Sequence, residues 1–511
     1  MKNNTISYWN QTAVRPHCPS LGESTETDVL IIGGGITGVT CAYCLAQKGV
    51  KPMLIEAGAL CGGTTGNTTG KVTLQHGIIY SKIIGKYGLG AAMDYAGSQR
   101  EAVDFVRRTV EKEAIDCQLR ENTAYIYASA EGDVAAVEEE HEAAVKAGID
   151  ASLLRNPDFP VPNFIMTGFK DQVVFHPVRY VAGLAGAAQA QGAVLYDRTK
   201  AVKIENGDVK AVTCEDGSVI RARHVVQATQ YPVYDGPNLF FARLYPKRTY
   251  AIAVRAERDW PDGSFINAGA PARSFRTHVE NGERILIVVG EGHDTGRDSG
   301  DQTEHFENLM QYADRLAGVR EVVAMWSAQD YETPDQLPYI GRLSENSTIY
   351  VAAGFRKWGL SSGSLAGSML ADLITTGGCK HEKLYSKMRP DLFSSPANAL
   401  QGALSPIVEL IKSKLEGTED LKGLQPGEGR VIRFKGEKAG VYRDLNDDVT
   451  ILDITCTHMG TELNFNNAEK TWDCPAHGGR YAHDGKLLEG PPKNPLKVLF
   501  RGKYGDLVGD E

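Results

Sequence analysis

The stretch Asp28-Val-Leu-Ile-Ile-Gly-Gly-Gly-Ile-Thr-Gly38 decides how this chain begins to fold. Residues 29–32 form a short apolar run, which is typical of a strand buried in a parallel sheet. Gly33, Gly35 and Gly38 then supply a G-x-G-x-x-G spacing. The first glycine permits a sharp turn, the second lets the backbone approach a pyrophosphate, and the third lets the following helix pack closely on the strand.

The residues that follow complete the order strand, turn, helix and strand. The helix predicted from Ile36 and Thr37 onward directs N–H groups at the phosphates. A second strand, over residues 51–55, ends at Glu56 and Ala57, where the carboxylate can accept hydrogen bonds from a ribose diol. This order predicts an adenine dinucleotide site, and a purely structural glycine turn is the alternative.

Length and composition bound the class of protein. The chain has 511 residues, which is too long for one hydrophobic core and indicates two or three domains. With 23% charged residues and a net charge of -9, nothing indicates nucleic-acid binding. Residues 1–20 lack a signal-peptide apolar core, and no apolar run is long enough to span a bilayer. The nine cysteines lack a disulfide-type spacing, so we expect a cytoplasmic protein.

The next segments predict a ligand-facing loop and a cap. Small and hydroxyl residues dominate residues 61–71, which permits the backbone to pass close to a flat or phosphorylated ligand, although a flexible surface loop is the alternative. Helical periodicity follows over residues 81–112 and 130–147. We expect the region up to Phe169 to form a cap over the ligand.

Later segments return to the dinucleotide sheet and then leave it. Residues 225–231 predict a buried strand, and residues 349–360 with the helix after them predict a closing strand-glycine-helix unit. Residues 394–426, rich in Ser, Pro and Gly, predict a linker. Short strands with turn residues predict a small all-β module over residues 427–511, so the first domain should span residues 1–393.

Residues 1–393 resemble the D-amino acid oxidase and glycine/sarcosine oxidase family of flavoproteins. The resemblance rests on the nucleotide fingerprint, the Thr/Gly loop around Gly66, the strand ending Ala228-Thr229, the segment Thr333-Pro-Asp-Gln-Leu-Pro-Tyr-Ile-Gly341 and Ala353-Gly-Phe. It implies an α/β FAD-binding domain, Rossmann-like and of the glutathione-reductase type, with an α+β substrate or cap domain. In that family a substrate C–N bond is oxidised by hydride transfer to flavin N5.

The pattern and the resemblance together imply a set of FAD-binding residues. These are Gly33, Gly35, Ile36, Thr37, Gly38, Glu56, Ala57, Thr64, Thr65, Gly66, Thr69, Gly70, Val202, Ala228, Thr229, Gly354, Phe355, Trp358, Gly359 and Leu360.

Three departures from the family pattern bear on function. Members that act on amino acids often carry an arginine for the substrate carboxylate where alignment of Trp326 and Thr333 places Asp330. A carboxylate facing the substrate would suit an amine or quaternary ammonium, and a structural carboxylate is the alternative.

Ala328 stands where relatives with covalent flavin use a cysteine, so we expect dissociable FAD. Val288 stands where sarcosine oxidases carry an oxygen-activating lysine, which argues for another electron acceptor.

Other candidate catalytic side chains are Lys357, His76 and His293. Lys357, beside Trp358, would stabilise a reduced flavin anion if it lies over the ring, and a surface lysine in a turn is the alternative. The two histidines are candidate bases, although a lone histidine is more often structural.

The C-terminal module contains Cys456-Thr-His458 and Cys474-Pro-Ala-His477, separated by fifteen residues. Two thiolates and two imidazoles on two short loops suit a Rieske [2Fe-2S] centre, with the cysteines on one iron and the histidines on the other. Zinc competes because Cys2His2 also gives a tetrahedral site, but C-x-H is unusual for a zinc finger. Residues 430–498 resemble the Rieske domain, and we expect Gly460, Gly478 and Gly479 to let the loops bend around the cluster.

The resemblance to Rieske domains also indicates a low potential. Thr461 and Ala476 stand where high-potential members carry a disulfide clamp, and Gly479 stands where they carry a serine. Tyr481 keeps the second hydrogen-bond position, toward a cysteine sulfur. Fewer donors stabilise the reduced cluster less. A Rieske oxygenase is disfavoured, because it needs a mononuclear iron held by two histidines and a carboxylate and only His483 follows the motif.

Together these features predict an FAD- and Rieske-dependent oxidoreductase that dehydrogenates the C–N bond of an amine or amino-acid-like substrate. Electrons would pass through the [2Fe-2S] cluster to an external electron-transfer partner. A reductase running in the opposite direction, an oxygen-using amine oxidase with a structural cluster, and an electron-transfer module without its own substrate remain open. The sequence identifies neither substrate nor partner, and it is compatible with a homo-oligomer.

Overall fold

The computed structural model describes residues 5–235, 239–298, 300–389, 408–410, 412–414 and 417–508. The chain divides into two compact units. The first comprises residues 1–234, 249–292 and 308–389, and the second comprises residues 235–248, 293–307 and 390–511. The domain boundaries expected at residues 393 and 427 stay predictions, because much of the expected linker, 394–426, lies outside the described residues.

The strands are numbered in chain order. They are β1 (Thr25–Ile32), β2 (Met53–Ile55), β3 (Lys71–Val72), β4 (Arg120–Ala128), β5 (Ala151–Arg155), β6 (Ile165–Val174), β7 (Val194–Tyr196), β8 (Ala201–Glu205), β9 (Lys210–Cys214), β10 (Val219–Gln230), β11 (Tyr245–Ala256), β12 (Ser264–Asn267), β13 (Ser274–Glu280), β14 (Glu283–Asp294), β15 (Val319–Glu332), β16 (Tyr339–Arg342), β17 (Ile349–Ala353), β18 (Glu428–Phe434), β19 (Glu437–Arg443), β20 (Asp448–Leu452), β21 (Asn464–Asn466), β22 (Thr471–Asp473), β23 (Arg480–Ala482), β24 (Leu487–Glu489) and β25 (Val498–Lys503).

The α-helices are numbered in the same way. They are α1 (Tyr8–Thr12), α2 (Ile36–Gln47), α3 (Tyr80–Tyr87), α4 (Leu89–Lys112), α5 (Val134–Lys146), α6 (Pro177–Ala190), α7 (Thr303–Ala317), α8 (Gly359–Thr376), α9 (Glu382–Tyr385) and α10 (Tyr504–Val508). Within the described part of the chain, no helix combines the length and the apolar composition needed to cross a membrane.

The predicted dinucleotide sheet is present in the first unit. Its strand order is β16-β17-β10-β1-β2-β7, and β8 and β9 extend it beside β10. β1 lies between β10 and β2 and is parallel to both, and β17 is parallel to β10. The first four residues of β1 alternate in burial, whereas the last four are all buried. This is the pattern of a parallel strand covered on both faces, as the apolar run at residues 29–32 predicts.

Helices α2 and α8 pack closely because α8 presents glycines at the contact. A Cβ at Gly363 would lie 2.7 Å from Thr37 Oγ1, and a Cβ at Gly367 would lie 2.6 Å from Thr40 Cβ. Each of the two helices follows a strand of the parallel sheet, β1 or β17. Their N-termini therefore lie at the carboxyl edge of the sheet, where such folds bind their ligands.

The second sheet has the strand order β15-β11-β14-β13-β12-β4-β6-β3, with β5 beside β6. The region predicted as a cap contributes β4, β5 and β6 to this sheet. The cap residues are therefore built into a sheet that also contains β15, which carries Trp326, and β14, which carries Val288.

The second unit contains the predicted small all-β module. Among its described residues, antiparallel strands form the sheets β18-β19-β20-β25 and β21-β22-β23-β24. One apolar core surrounds Val441 and Ile451. The other surrounds Trp472 and includes both Cys456 and Cys474.

Candidate functional site

The G-x-G-x-x-G turn is closed so tightly that only glycine fits at two positions. Gly33 has φ +112°, and a Cβ there would lie 2.4 Å from the Ala228 carbonyl oxygen at the end of β10. A Cβ at Gly38 would lie 1.9 Å from the Gly33 carbonyl oxygen, so α2 rests directly on the end of β1. Gly35 is the N-cap of α2 and offers no side-chain cap. This helix start fits the diphosphate of FAD.

Glu56 follows β2 and is held by backbone N–H groups. Its Oε2 accepts a hydrogen bond from Gly34 N at 2.7 Å, and its Oε1 accepts one from Gly58 N at 2.8 Å. Burial raises the pKa of this carboxyl, and hydrogen bonds from Gly58, Gly34 and Ala57 oppose the rise. The carboxylate is thereby fixed at the turn, and each oxygen keeps a lone pair for a ribose diol.

The Thr/Gly segment is a folded part of the site. Thr64–Asn67 form a short 3-10 helix in which Thr65 and Gly66 are buried. Thr65 Oγ1 accepts a hydrogen bond from Ile36 N at 3.0 Å, and Thr64 Oγ1 donates to a carbonyl of β15 at 3.2 Å. The alternative of a flexible surface loop does not hold for these residues.

Thr69 and Gly70 contact a buried arginine that the sequence reasoning missed. Arg276 Nε donates a hydrogen bond to the Thr69 carbonyl oxygen. Gly70 has φ +73°, and a Cβ there would lie 2.4 Å from the Phe175 carbonyl oxygen. Burial lowers the pKa of Arg276 to about 9. A guanidinium is thus fixed directly behind the Thr/Gly segment.

Strand β10 supplies Ala228 and Thr229 at its carboxyl end. Thr229 Oγ1 donates a hydrogen bond to the Tyr231 carbonyl oxygen at 2.6 Å, which closes the chain after the strand. Val202 lies on β8, which joins the same sheet through β9. The fold therefore brings Ala228 and Thr229 against Gly33 and places Val202 two strands away from β10.

The loop between β17 and α8 is strained at two successive residues. Arg356 has φ +49° and Lys357 has φ +69°, in the left-handed region that residues with a Cβ rarely adopt. Trp358 follows as the N-cap of α8. Such strain tends to occur at ligand sites. The predicted FAD-binding residues of this loop and the helix start are Gly354, Phe355, Trp358, Gly359 and Leu360.

Asp330 holds this strained loop in place. Its carboxylate is buried, with Oδ2 accepting a hydrogen bond from Lys357 N at 2.5 Å and Oδ1 accepting one from Tyr331 N at 2.8 Å. Burial raises the pKa of Asp330 to about 6, against the opposing effect of the two N–H groups. Both oxygens thus bind backbone, which favours the structural role over a substrate counter-ion. The Lys357 side chain is exposed.

His76 is buried against the same loop. Its ring stacks on Trp358 with centroids 4.6 Å apart, and its Nδ1 lies 2.6 Å from Tyr95 Oη. Burial, and then the Arg356 guanidinium, lowers the pKa of His76 to about 3. An imidazole with this pKa is a weak base near neutral pH, so the geometry favours positioning over proton transfer. His293 belongs to the second unit.

Lys71 is a second side chain of this site, after Arg276, whose role the sequence did not indicate. Its Nζ donates a hydrogen bond to Ser274 Oγ at 2.9 Å and lies 5.4 Å from the centre of the Trp358 ring. Ser274 pairs across the sheet with Val289, next to Val288. An amine from β3 therefore reaches the neighbourhood in which Val288 replaces the expected lysine. Burial lowers the pKa of Lys71 to about 7.

The two cysteine–histidine loops of the second unit share one hydrogen-bond pattern. Cys456 N and Cys474 N each donate to the carbonyl oxygen five residues later, at 2.8 Å in both loops. Gly460 N returns to the Cys456 carbonyl at 2.9 Å, and Gly478 N returns to the Cys474 carbonyl at 3.0 Å. These glycines have φ +81° and +71°. The expected bending is confirmed at Gly460 and Gly478, whereas Gly479 does not adopt a positive φ. The two loops are matched turns.

The four residues predicted as cluster ligands come together at these turns. The Cys474 thiol donates a hydrogen bond to Cys456, which lowers the pKa of Cys456 to about 7. The rings of His458 and His477 meet edge to face with centroids 4.9 Å apart. Burial lowers the pKa of His458 to about 4 and that of His477 to about 3. Neighbouring thiols and two neutral imidazoles are a donor set that fits a [2Fe-2S] centre.

Tyr481 lies where the sequence predicts a donor to the cluster. Its Oη is 3.7 Å from Cys456 Sγ and accepts a hydrogen bond from Thr457 N at 3.2 Å. A Cβ at Gly479 would lie 2.5 Å from Pro492 Cγ, so the serine of high-potential relatives does not fit here without a shift of Pro492. All nine cysteines lie in the described part of the chain and are free thiols.

A buried ion network supports the second loop. Arg480 donates to Glu489 at 2.7 Å, to Glu469 at 3.0 Å and to Asp473 at 3.1 Å. Arg248 Nε donates to the same Glu469 carboxylate at 2.9 Å. Although burial alone lowers the pKa of Arg480, the three carboxylates raise it on balance. Removal of any one of these side chains would leave a buried charge without its counter-ion.

Two family models match separate stretches of this chain. The family model for FAD dependent oxidoreductases matches residues 28–373, and the model for the Rieske [2Fe-2S] domain matches residues 415–499. The Rieske 2Fe-2S iron-sulfur protein YhfW of Bacillus subtilis strain 168 is 36% identical over 495 residues, which cover 96% of this chain and 97% of that protein.

Two further similarities concern the first unit. Gamma-glutamylputrescine oxidoreductase of Escherichia coli K12 is 24% identical over 395 residues, which cover 73% of this chain and 90% of that enzyme. Among solved structures, L-proline dehydrogenase from P. horikoshii has a TM-score of 0.59 and 19% identity, covering 72% of this chain and 98% of that one. The predicted fold classes of both parts are confirmed.

Proposed function

Because this chain belongs to the FAD dependent oxidoreductase family and carries a Rieske [2Fe-2S] domain, we propose that it dehydrogenates a carbon–nitrogen bond of an amine or amino-acid-like substrate and exports the electrons singly. The protein is a flavin-dependent oxidoreductase whose cofactors are FAD and a [2Fe-2S] cluster. When bound, FAD supplies a hydride acceptor and the cluster supplies a one-electron carrier. The observation that carries the proposal is that one polypeptide contains both the G-x-G-x-x-G turn at residues 33–38 and the matched cysteine–histidine loops.

The substrate class is supported by the chemistry of Lys71. An amine must lose its proton before the nitrogen lone pair can stabilise the product iminium. A side chain with a pKa of about 7 is well matched to accept that proton near neutral pH. The similarity to gamma-glutamylputrescine oxidoreductase, whose name refers to an amine, points to the same class. Lys71 is thus the proposed base, and Ser274 Oγ holds its amine in position.

We propose that Asp330 and His76 position the site rather than take part in the chemistry. Asp330 fixes the loop that carries Lys357 and Trp358, because both carboxylate oxygens accept backbone hydrogen bonds there. His76 stacks on Trp358 and fixes its ring. A buried carboxylate and a neutral imidazole in these roles keep the loop in its strained conformation.

Exposure of the cluster ligands indicates where an electron partner would approach. Cys456, Cys474 and His477 are buried, whereas His458 is half-buried. We propose that an external partner docks on the His458 side of the module.

An anaerobic titration that follows flavin and cluster absorbance together tests the proposal. A panel of amines is added to wild-type protein, to Cys474→Ser and to the control Cys379→Ser, which removes a thiol of the first unit. We expect at least one amine to bleach FAD and then the cluster in wild type and control. In Cys474→Ser the flavin should bleach while electron delivery to an added one-electron acceptor falls at least about tenfold. Bleaching of FAD without any response from an intact cluster would refute the relay.

The remaining alternatives give different results in the same assay. A reductase would oxidise its prereduced cofactors when the substrate's imine is supplied, yet show no bleaching with amines. An oxidase with a structural cluster would form peroxide rapidly in wild type and equally fast in Cys474→Ser. An electron-transfer module would bleach only with a reduced protein donor and with none of the amines.

A further inference from the structure

A second group of metal-type ligands lies in the second unit, apart from the cysteine–histidine loops. His293 lies near the end of β14, Asp298 lies in the following loop, and His305 lies in the first turn of α7. Each offers a ligand atom, and these atoms all lie within 4.8 Å of one another. His305 Nε2 is 2.7 Å from Asp298 Oδ2, and the two imidazole rings stack with centroids 5.0 Å apart.

Outer contacts orient two of these side chains as ligands. His293 Nδ1 lies 3.0 Å from the Asp294 carbonyl oxygen. Because a carbonyl only accepts, this nitrogen carries the hydrogen and Nε2 keeps a lone pair. Asp298 Oδ1 accepts a hydrogen bond from Gly300 N at 3.2 Å, so Oδ2 faces His305. Hydrogen bonds of this kind fix the orientation of metal-binding histidines and carboxylates.

The charge states of two members suit a cation. Burial lowers the pKa of His293, so this imidazole is neutral. For Asp298, burial raises the pKa, but the Gly300 N–H and His305 lower it on balance, so the carboxylate is ionised. Neutral imidazole and ionised carboxylate are the forms that bind a metal.

We propose that His293, Asp298 and His305 together bind one divalent transition-metal ion. Two imidazoles with one carboxylate suit iron(II) or zinc, and three protein ligands leave coordination positions for water or a small molecule. After the cluster motif the sequence contains only one further histidine, His483. The fold supplies two histidines and a carboxylate from residues 293–307, which belong to the same compact unit as the cluster loops.

The segment that carries the three residues also touches the second cluster loop. Arg297 Nε donates a hydrogen bond to the Pro475 carbonyl oxygen at 3.0 Å. Gly296 has φ +69°, and a Cβ there would lie 2.8 Å from the Asp473 carbonyl oxygen. A metal held at both ends of this segment, by His293 and Asp298, would therefore fix the surface on which the loop of Cys474 rests.

Metal analysis of the full-length holoprotein tests the proposal. The protein is dialysed against a chelator and then against Zn²⁺, and zinc and iron are counted by mass spectrometry. We expect about one zinc per chain in addition to the cluster iron, with zinc falling to less than about a tenth of this value in Asp298→Ala/His305→Ala. His483→Ala, a histidine of the same unit that packs on Tyr442, is the matched control and should keep its zinc.

Iron content separates loss of the site from loss of the fold. Only preparations with full cluster iron are compared, so that zinc does not enter the cysteine–histidine loops instead. If the double variant loses cluster iron, the single variant Asp298→Asn is used in its place, because its amide oxygen can still accept the hydrogen bond from Gly300 N. Loss of zinc from Asp298→Asn while cluster iron is retained supports the site. Protein loaded with Co²⁺ should show nitrogen and oxygen ligands in cobalt X-ray absorption. Wild type without zinc, or equal zinc in wild type and the ligand variants, overturns the proposal.

Discussion

Lys71 Nζ donates a hydrogen bond to Ser274 Oγ at 2.9 Å, joining two residues that are 203 positions apart in the chain. The contact places an amine with a pKa of about 7 beside the aromatic ring of Trp358. Its usual pKa is 10.5, so burial keeps the neutral form populated near physiological pH.

The first prediction concerns the pH dependence of stability. Between about pH 7 and pH 10.5 the folded chain binds fewer protons at Lys71 than the unfolded chain, so the free energy of unfolding rises with pH through this window. Lys71→Met should remove this rise, which we estimate at about 1 to 3 kcal/mol because the side chain keeps some contact with solvent. Thermal unfolding at pH 7 and pH 10 measures the difference. Lys112→Met, at an exposed lysine, should behave as wild type.

The same substitution tests the proposed base. In wild type, kcat/KM for an amine should rise with pH to a plateau with an apparent pKa near 7. In Lys71→Met this inflection should disappear and kcat/KM should fall by roughly 10²- to 10⁴-fold. An unchanged profile in a variant with full FAD would show that another group takes the proton.

The second prediction concerns the G-x-G-x-x-G turn at residues 33–38. Gly38→Ala places a Cβ 1.9 Å from the Gly33 carbonyl oxygen, so the helix must move away from the strand. FAD occupancy, read from the ratio of visible to ultraviolet absorbance, should fall at least about tenfold, and the melting temperature should drop. Gly97→Ala in α4, where a Cβ meets no atom within 4 Å, is the matched helical control. It should keep FAD and gain up to about 1 kcal/mol of stability.

The third prediction concerns the cluster potential. The Tyr481 hydroxyl lies 3.7 Å from Cys456 Sγ, and a donor at this position stabilises the reduced cluster. Tyr481→Phe should therefore lower the midpoint potential. A difference of about 1 kcal/mol in hydrogen-bond energy corresponds to about 40 mV for one electron. A redox titration followed by electron paramagnetic resonance gives the value, and Tyr442→Phe, at another tyrosine of the module, should leave it unchanged.

The fourth prediction concerns the buried ion network. Arg480→Met leaves Glu469, Asp473 and Glu489 without the guanidinium that joins them. Removal of one partner from a buried network costs about 3 to 5 kcal/mol. The urea concentration at which cluster absorbance disappears should fall accordingly, whereas Arg501→Met, at an exposed arginine, should have little effect. Equal midpoints for the two variants would mean that the network contributes little to the second unit.

The features predicted correctly from the sequence are those encoded over short distances. The apolar run at residues 29–32, the glycine spacing after it and the paired cysteine–histidine motifs each specify a local conformation. The contact of Lys71 with Ser274 depends on how distant strands of the second sheet pack. The grouping of His293 with His305 depends on the path of the chain between β14 and α7. No local periodicity encodes such contacts.

Asp330 shows that the sequence does not predict which way a side chain points. Alignment places a carboxylate at a substrate-binding position, which suggests a counter-ion for a cation. The folded chain uses both of its oxygens to bind backbone N–H groups of Tyr331 and Lys357. The direction in which this side chain points depends on the strained loop opposite, and the sequence alone does not reveal it.

The order of strands in the dinucleotide sheet also constrains how the protein is made. β1 pairs with β10, and β10 pairs with β17, so strands separated by more than 100 residues must meet. During synthesis the first strand therefore leaves the ribosome long before its neighbours, and the nucleotide cradle closes only after α8 has emerged. The second unit is completed later still, because residues 235–248 and 293–307 wait for the last part of the chain. Both cofactors should accordingly be loaded near or after the end of translation, and the early apolar strands should stay open to aggregation until their partners emerge.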